Sequence, residues 1–255
     1  MKNTFNKKKI NLLHIRKIIK YLIIFGFIIF LSYMIYDELK NKQRFKNLVQ
    51  EFSEKFNYQF KNYDVNTLNR VEKNDISKII NEYLDQSIFL IPLNIISNSI
   101  HNLKWVKKVN LSTNLKNKIK VEILEYKPIG LYSFNDQIFY FSEEGKIIDE
   151  YKENINENFI IFYGNQSLKE ANKLLKTLDK AKDFQFFQIK EAYYINERRW
   201  NIKLTNEILV YLSEKNIETS LRNYVKLIKK LKESEIVSIQ SIDLRNNEKA
   251  IISLK

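Results

Sequence analysis

The longest uninterrupted apolar stretch of the chain lies near its N-terminus. Residues 21–36, YLIIFGFIIFLSYMIY, contain no charged side chain. As a helix they span roughly 24 Å, and Ile18 and Ile19 extend this by a turn, against a hydrocarbon core of about 30 Å. The stretch is apolar on all faces, and the chain has no second one of this length to pack with it. The pattern therefore predicts a single membrane-spanning helix at residues 21–36.

A cleaved signal peptide is the competing interpretation, because it shares a basic start and an apolar run. Signal cleavage favours small residues after the run, whereas this run continues into Tyr-Met-Ile-Tyr-Asp-Glu at residues 33–38. Residues 1–20 carry seven basic residues and no acidic one, which is typical of a cytoplasmic tail. We therefore interpret residues 21–36 as an uncleaved anchor and expect the remaining 219 residues to lie outside the cytoplasm.

After the anchor, apolar positions follow helical and alternating spacings in turn. Residues 37–56 have a loose three-to-four spacing, which predicts a juxtamembrane helix or linker and is equally typical of a solvated stalk. The next elements predicted are a strand in 57–71 with a turn near Asn66, a helix at 76–84 capped by Asn74 or Asp75, and a helix after Pro92. Strands at 105–115 and 118–131 follow, joined by a turn at Asn114 to Asn117. The order β-α-α-β-β predicts a domain at 57–131 whose two helices cover one face of a three-stranded sheet.

The remaining residues, 132–255, predict a second α+β domain with a mostly antiparallel sheet. Its helices are predicted at 168–181 and 218–231, and a hairpin turn is predicted at Asn206-Glu207. Its strands are predicted at 137–141, 146–149, 159–162, 187–195, 200–204, 208–212, 239–245 and 250–254. The whole chain is therefore expected to be an α+β protein in five parts: 1–20, 21–36, 37–56, 57–131 and 132–255.

The charge and the cysteine content exclude several classes of function. The formal net charge is +13, but seven positive charges lie in residues 1–20, which leaves 36 basic against 30 acidic residues elsewhere. This small excess does not favour nucleic-acid binding. The positive charge of residues 1–20 is explained by a basic tail that lies on anionic lipid. The absence of cysteine excludes disulfides and thiolate metal sites.

The sequence contains no convincing catalytic or cofactor-binding motif. The two histidines, His14 and His101, are far apart, and four glycines do not form a phosphate-binding loop. The acid pairs Glu122/Glu125 and Glu143/Glu144 are the remaining candidates for acid–base chemistry, and we interpret them as surface carboxylates on strands and turns. We therefore predict a protein that is not an enzyme and has no cofactor or metal.

Several short motifs carry a resemblance to a known family. The pattern from Ile100 to Pro128, I-x-x-L-x-W-V-x-x-V followed by I-x-V-x-I-x-E-x-x-P, resembles the end of a polypeptide-transport-associated (POTRA) domain. Trp105 is expected to close the second helix on the sheet, and Pro128 to end ladder pairing at the far end of the strand. The segments RRWNIKL at 198–204 and IDLR at 242–245 resemble signatures of the FtsQ family, called DivIB in Gram-positive bacteria. The order of these motifs after one anchor makes their combination specific.

The resemblance implies a partner and the strand that binds it. In the family, the last strand and the preceding D-L-R strand bind FtsB, which pairs with FtsL. A terminal strand at a sheet edge offers unpaired backbone groups to which an extended segment can add. The partner-binding residues predicted here are Arg198, Arg199, Leu244, Arg245, Ala250, Ile251, Ile252, Ser253 and Leu254. The family often has an aromatic residue after D-L-R, where this chain has Asn246.

The resemblance implies a division scaffold in the bacterial inner membrane. Its tail would be cytoplasmic and its C-terminal domains periplasmic, at the division septum, where it would link early division proteins to septal peptidoglycan synthesis. The alternative is a POTRA-bearing component of an envelope transport or secretion system. Such proteins usually carry several POTRA repeats and a β-barrel, and neither pattern is present in this sequence.

Overall fold

A computed structural model describes residues 12–40, 42–152, 158–181, 189–246 and 248–255. The chain divides into two compact units. The first contains residues 1–66, 74–98 and 110–122, and the second contains residues 67–73, 99–109 and 123–255. The domain boundary expected between residues 131 and 132 stays a prediction.

The apolar N-terminal stretch forms a long helix. Helix α1 covers Leu12–Lys40 and contains a segment, Lys17–Asp37, that is long and apolar enough to cross a membrane. The helix therefore extends beyond the predicted 21–36 at both ends, as expected where flanking residues are good helix formers. Helix α2, Lys42–Phe56, follows it within the segment 37–56 that was predicted as a juxtamembrane helix or linker.

The β-α-α-β-β order is confirmed in residues 62–125. Its elements are β1 (Asn62–Val65), α3 (Lys73–Asn81), α4 (Leu93–His101), β2 (Val106–Thr113) and β3 (Lys118–Glu125). They include a three-stranded sheet in the order β1-β3-β2, with β1 parallel to β3. In the first unit, fully buried side chains include Phe60, Ile76, Ile80, Ile96 and Ile119. The three-to-four spacing of these isoleucines explains why each short helix buries a single face.

Asparagine shapes the predicted turn between β2 and β3. The side-chain oxygen of Asn114 accepts hydrogen bonds from the backbone N–H groups of Lys116, Asn117 and Lys118 at 2.9–3.0 Å. Leu115 adopts a positive φ of 55°. An asparagine side chain that satisfies the turn backbone explains how this glycine-poor chain reverses direction here.

The second unit contains a nine-stranded sheet in the order β12-β11-β10-β9-β8-β7-β4-β5-β6. The strands are β4 (Pro128–Phe134), β5 (Gln137–Ser142), β6 (Ile147–Glu150), β7 (Ile161–Tyr163), β8 (Ile189–Ile195), β9 (Arg199–Leu204), β10 (Leu209–Tyr211), β11 (Ile239–Asp243) and β12 (Ile251–Leu254). The helices are α5 (Ser167–Lys180), α6 (Ile217–Ile228) and α7 (Glu233–Val237). Five of the eight neighbouring pairs among these described strands are antiparallel, which confirms the predicted mostly antiparallel α+β class.

The main core of the second unit combines one face of the sheet with α5 and α6. It includes Phe162, Leu174, Ile202, Leu221 and Ile242, each at most 1% exposed. Apolar residues recur at two-residue spacing in the strands and at three-to-four spacing in the helices, so one face of each element is buried.

Four details of the sequence-based predictions are wrong. The predicted strand 118–131 is two strands, because β3 belongs to the small sheet, whereas β4 pairs with β5 and β7. Pro128 does not end the ladder of the first strand but begins β4, opposite Ser142. Only 62–65 of the predicted strand 57–71 is a strand, and the short helix α7 was missed. Residues 182–188 lie outside the described part of the chain, and the first two residues of the predicted strand 187–195 are among them.

Candidate partner-binding edge

The last strand, β12, lies at one end of the nine-stranded sheet. Its neighbour is β11, with Ile252 opposite Ile242 and Ser253 opposite Ser241. The N–H of Lys255 bonds the carbonyl of Ser238, so Lys255 faces β11. Because alternate residues of an antiparallel strand face opposite sides of the ladder, the backbone groups of Ile252 and Leu254 face away from β11. The edge therefore presents two N–H and two C=O groups to an incoming strand.

The side chains of β12 are apolar and largely uncovered. Ile251 is 64% exposed and Leu254 is 63% exposed, while Ile252 packs against the core. Ala250, directly before the strand, is also exposed. An exposed, uncharged edge strand can pair with another chain. Among the described residues, β12 thus combines open backbone groups with exposed apolar area.

Arg245 lies just beyond β11 and forms an ion pair within this chain. Its Nε is 2.9 Å from both carboxylate oxygens of Asp243, and its guanidinium lies 5.6 Å from the ring centre of Tyr211. The hydrogen bonds from Arg245, together with its charge, lower the pKa of Asp243 despite partial burial. About half of the Arg245 side chain remains exposed. Because guanidinium has five N–H donors, Arg245 can hold Asp243 and still bind a second carboxylate.

The two neighbouring arginines of the 198–204 segment have different surroundings. Arg199 is half-buried, its Nε has no hydrogen-bond partner among the described residues, and its charge contributes to the lowered pKa of Asp243. Arg198 instead lies 3.7 Å from the carboxylate of Glu214. The structure thus pairs Arg245 with Asp243, on whose carboxylate the charge of Arg199 also acts, and gives Arg198 a separate acidic neighbour.

Leu244 supports this edge from inside the protein. Its side chain is only 1% exposed, and its carbonyl accepts a hydrogen bond of 3.0 Å from the Ser220 hydroxyl. Its N–H bonds the carbonyl of Tyr211. Partner binding by Leu244 stays a prediction, and its side chain is part of the core. Leu244 fixes the backbone that carries Arg245.

Tyr211, whose ring lies beneath the Arg245 guanidinium, was not among the site residues predicted from the sequence. One register row runs across the sheet through Tyr193, Asn201, Tyr211, Asp243 and Ile251. The available signal was alternation: Ile208, Val210 and Leu212 are buried, which places Tyr211 on the opposite face. That signal gives the face of Tyr211 but not its neighbour across the sheet.

The acid pairs considered for catalysis are occupied by partners that keep them ionised. Glu125 accepts backbone hydrogen bonds from residues 69–71 at 2.7–2.9 Å, which outweigh its partial burial and lower its pKa. A hydrogen bond from Lys107 lowers the pKa of Glu144 to about 2. Hydrogen bonds from lysine side chains likewise lower the pKa values of Glu122 and Glu143. A general acid at neutral pH needs a raised pKa, so these shifts have the wrong direction for that role.

Comparison with known proteins gives matches over both folded parts of the chain. Residues 60–126 match the POTRA domain, FtsQ-type, and residues 133–245 match the cell division protein FtsQ/DivIB, C-terminal. The cell division protein FtsQ of Rickettsia prowazekii is 26% identical over 204 residues, covering 80% of this chain and 75% of that protein. FtsQ of Coxiella burnetii is 21% identical, covering 71% and 74%.

A solved structure is also similar, over a smaller part of the chain. It is the major extracytoplasmic domain of DivIB from Geobacillus stearothermophilus, with 15% identity and a TM-score of 0.31, covering 43% of this chain and 99% of that domain.

The FtsQ-type POTRA match and the larger mixed sheet define a POTRA-bearing protein, whose apolar N-terminal helix is long enough to cross a membrane. More narrowly, the chain belongs to the FtsQ/DivIB family of cell division proteins.

Proposed function

We propose that this protein is a non-enzymatic scaffold of the division machinery that binds FtsB, paired with FtsL, at the β12 edge. The observation that carries the proposal is the open side of β12, where the backbone of Ile252 and Leu254 faces outward beside exposed apolar side chains. An extended segment of FtsB adds there as a further strand, so that main-chain hydrogen bonds provide affinity.

The charges beside the edge give the partner its orientation. Arg245 has N–H donors that its ion pair with Asp243 does not use. The charge of Arg199 also acts on Asp243, and the Nε of Arg199 has no hydrogen-bond partner among the described residues. An acidic residue of FtsB next to its pairing strand is therefore attracted to this group. Lys249 and Lys255 flank β12 and add to the positive field. The lowered pKa values of the acid pairs do not suit a general acid at neutral pH.

The anchor confines the interaction to the membrane surface. Helix α1 crosses the inner membrane once, with the basic tail in the cytoplasm and the folded units in the periplasm, at the division septum. Tethering both partners to one membrane raises their effective concentration. The scaffold thereby links early division proteins to septal peptidoglycan synthesis.

The test separates backbone pairing from side-chain contact at a single position. Leu254→Pro removes an N–H that faces away from β11, whereas Leu254→Ala keeps that N–H and removes the same apolar side chain. Both variants should fold, because proline is tolerated at an edge where its missing N–H faces outward. We expect Leu254→Pro to weaken capture of FtsB and FtsL by the full chain at least about fivefold, since one unmade hydrogen bond costs roughly 1–3 kcal/mol. Equal capture by both variants would exclude strand addition here.

A further inference from the structure

The helix that follows the membrane anchor has an apolar face that the described part of the chain leaves uncovered. Phe45, Leu48, Phe52 and Phe56 of α2 are 43–51% exposed. At 100° per residue, their spacing of three, four and four positions puts all four within about 80° of the helix circumference. This set of residues is called the α2 stripe below.

The rest of α2 shows that the stripe is separate from the surface that packs on its own unit. Ser53 is buried, with its hydroxyl 2.6 Å from that of Ser87, and Gln50 accepts a hydrogen bond of 2.8 Å from the Ser87 N–H. These contacts fix the rotation of α2 on the 85–87 segment. Because the flank with Ser53 and Gln50 is the packed one, the stripe beside it stays open.

Neighbouring aromatic rings extend the stripe beyond the helix. Phe52 lies 4.7 Å from Phe56 and 6.1 Å from Tyr58, measured between ring centres. Tyr58 in turn lies 5.5 Å from Phe89, which is half-exposed. The result is a continuous aromatic surface on one side of the first unit. A surface of this kind on a protein marks a site of interaction with another apolar phase or partner.

Two lysines of α2 flank the stripe. In the helical projection Lys42 lies about 80° from the centre of the stripe on one side and Lys55 about 60° on the other, whereas Glu51 and Glu54 lie about 100° and 160° from it. The Nζ of Lys55 is 5.9 Å from the Phe56 ring centre. A helix with phenylalanine and leucine on one face and lysines at its margins is typical of helices that lie in the lipid head-group region.

The chain connection places this helix at a bilayer surface. The candidate span ends at Asp37, α1 ends at Lys40, and only one residue separates Lys40 from the start of α2. The start of α2 therefore lies within roughly 12 Å of the end of the span, because only three further helical residues and two Cα–Cα steps separate them. The head-group region of one leaflet is about 5–8 Å thick. The lipid surface is therefore the apolar phase nearest to the stripe.

A second copy of α2 fits the stripe less well than lipid does. A left-handed coiled coil repeats every seven residues with alternating steps of three and four, which would put position 55 in the seam after 45, 48 and 52. That position is Lys55, and the stripe continues at Phe56 instead. Eleven residues from Phe45 to Phe56 cover three turns of a straight helix, which suits a flat surface.

We propose that α2 lies in the head-group region of the membrane that α1 crosses, with the α2 stripe and Phe89 in contact with lipid. The proposal rests on α1 crossing the bilayer and is independent of FtsB binding. It turns the predicted stalk into a second membrane contact that holds the first unit against the bilayer.

The chain contains no cysteine, so single cysteines can carry a spin label in the full-length protein. The protein is reconstituted in vesicles of phosphatidylcholine and phosphatidylglycerol, and label exposure is measured with oxygen and with a water-soluble nickel chelate. Leu48→Cys reports on the stripe, and its neighbour Asn47→Cys reports on the opposite face. Ser32→Cys in α1 is the reference for a lipid-exposed site.

We expect oxygen to relax the label at position 48 more than the nickel chelate does, as at position 32, and the reverse order at position 47. Nickel access at position 48 equal to that at position 47 would place the stripe in water and overturn the proposal. A label at position 48 shielded from both reagents, with spin–spin broadening that disappears on dilution with unlabelled protein, would show a second copy instead and would also overturn it.

A double substitution adds a check within the same labelled background. Phe52→Gln with Phe56→Gln removes the aromatic part of the stripe and should shift the label at position 48 towards nickel access. Glu51→Gln with Glu54→Gln changes the same number of positions away from the stripe and should leave the label unchanged. If both pairs had the same effect on the label, the aromatic rings would not be what holds α2 at the lipid. Unchanged circular dichroism confirms that each protein is folded.

Discussion

At one end of the nine-stranded sheet, β6 carries two acidic residues and is held by other side chains, whereas at the other end β12 is uncharged and exposed. Asp149 of β6 accepts a hydrogen bond of 2.6 Å from the Lys104 Nζ and one of 3.1 Å from the Trp105 Nε1. On β12, Ile251 and Leu254 are each more than 60% exposed. Charge on an edge strand hinders the addition of another strand. Among the strands that the structure describes, this sheet is therefore protected at β6 and open at β12.

The largest expected effect comes from removing the contacts that hold β6. Trp105 is 7% exposed and its ring lies 5.1 Å from that of Tyr140. Trp105→Ala should lower the free energy of unfolding by about 3–5 kcal/mol, because it leaves a cavity and frees the Asp149 carboxylate of one donor. Urea denaturation followed by circular dichroism measures the loss. Lys104→Ala removes the exposed partner of the same carboxylate and should cost less than about 1 kcal/mol. Similar losses for both variants would contradict this account of β6.

The next effect concerns the charge beside β12. Arg245→Glu places a second negative charge next to Asp243 and should weaken FtsB capture by about 1 kcal/mol, or roughly fivefold, at low salt. The loss should shrink at high salt, because an exposed charge is screened. Arg222→Glu makes the same change on α6, where Arg222 pairs with Glu218, and serves as the control. A loss from Arg245→Glu that is independent of salt would point to misfolding or a nonelectrostatic role.

Acid should loosen the β6 end in a defined pH range. Burial of the Asp149 carboxyl opposes ionisation, but hydrogen bonds from Lys104, the Glu150 N–H and Trp105 outweigh it and lower its pKa below 3.8. A lowered folded-state pKa contributes stability above the unfolded pKa, and this contribution disappears as the pH falls through the folded-state pKa. The difference in unfolding free energy between the native chain and Asp149→Asn should therefore be constant above about pH 5 and shrink below pH 3.8. A difference that grows on acidification would reverse the assigned shift.

The smallest effect on stability should come from β12 itself. Ile251→Ser changes a side chain that is 64% exposed, so the free energy of unfolding should change by no more than about 0.5 kcal/mol. FtsB capture should nevertheless fall, because the apolar contact on one face of the added strand is lost. Unfolding and capture measured on the same preparation check both statements. A large loss of stability would show that Ile251 belongs to the core rather than to an open edge.

Local patterns predicted which faces of the elements are buried, and long-range pairing decided the rest. The spacing of Ile76 and Ile80 predicted the buried face of α3, and Asn114 indicated the turn between β2 and β3. Both features depend on residues only a few positions apart in the sequence. The alternation running through residues 118–131 gave no sign that β3 and β4 belong to different sheets. A period of two is the same in one long strand as in two strands in succession.

The candidate partner-binding edge also combines features that the sequence determines with features that depend on long-range pairing. The sequence by itself determined an apolar C-terminal strand, a signature arginine and a single long apolar helix, since these are properties of consecutive residues. Only the tertiary structure decided that β12 has β11 as its neighbour, that Arg245 is paired with Asp243 above Tyr211, and that Leu244 faces inward. The Asp243–Arg245 pair is local in the chain, but the neighbour of β12, the ring beneath Arg245 and the inward position of Leu244 depend on which strands lie side by side, and strand order is set by the packing of the whole sheet.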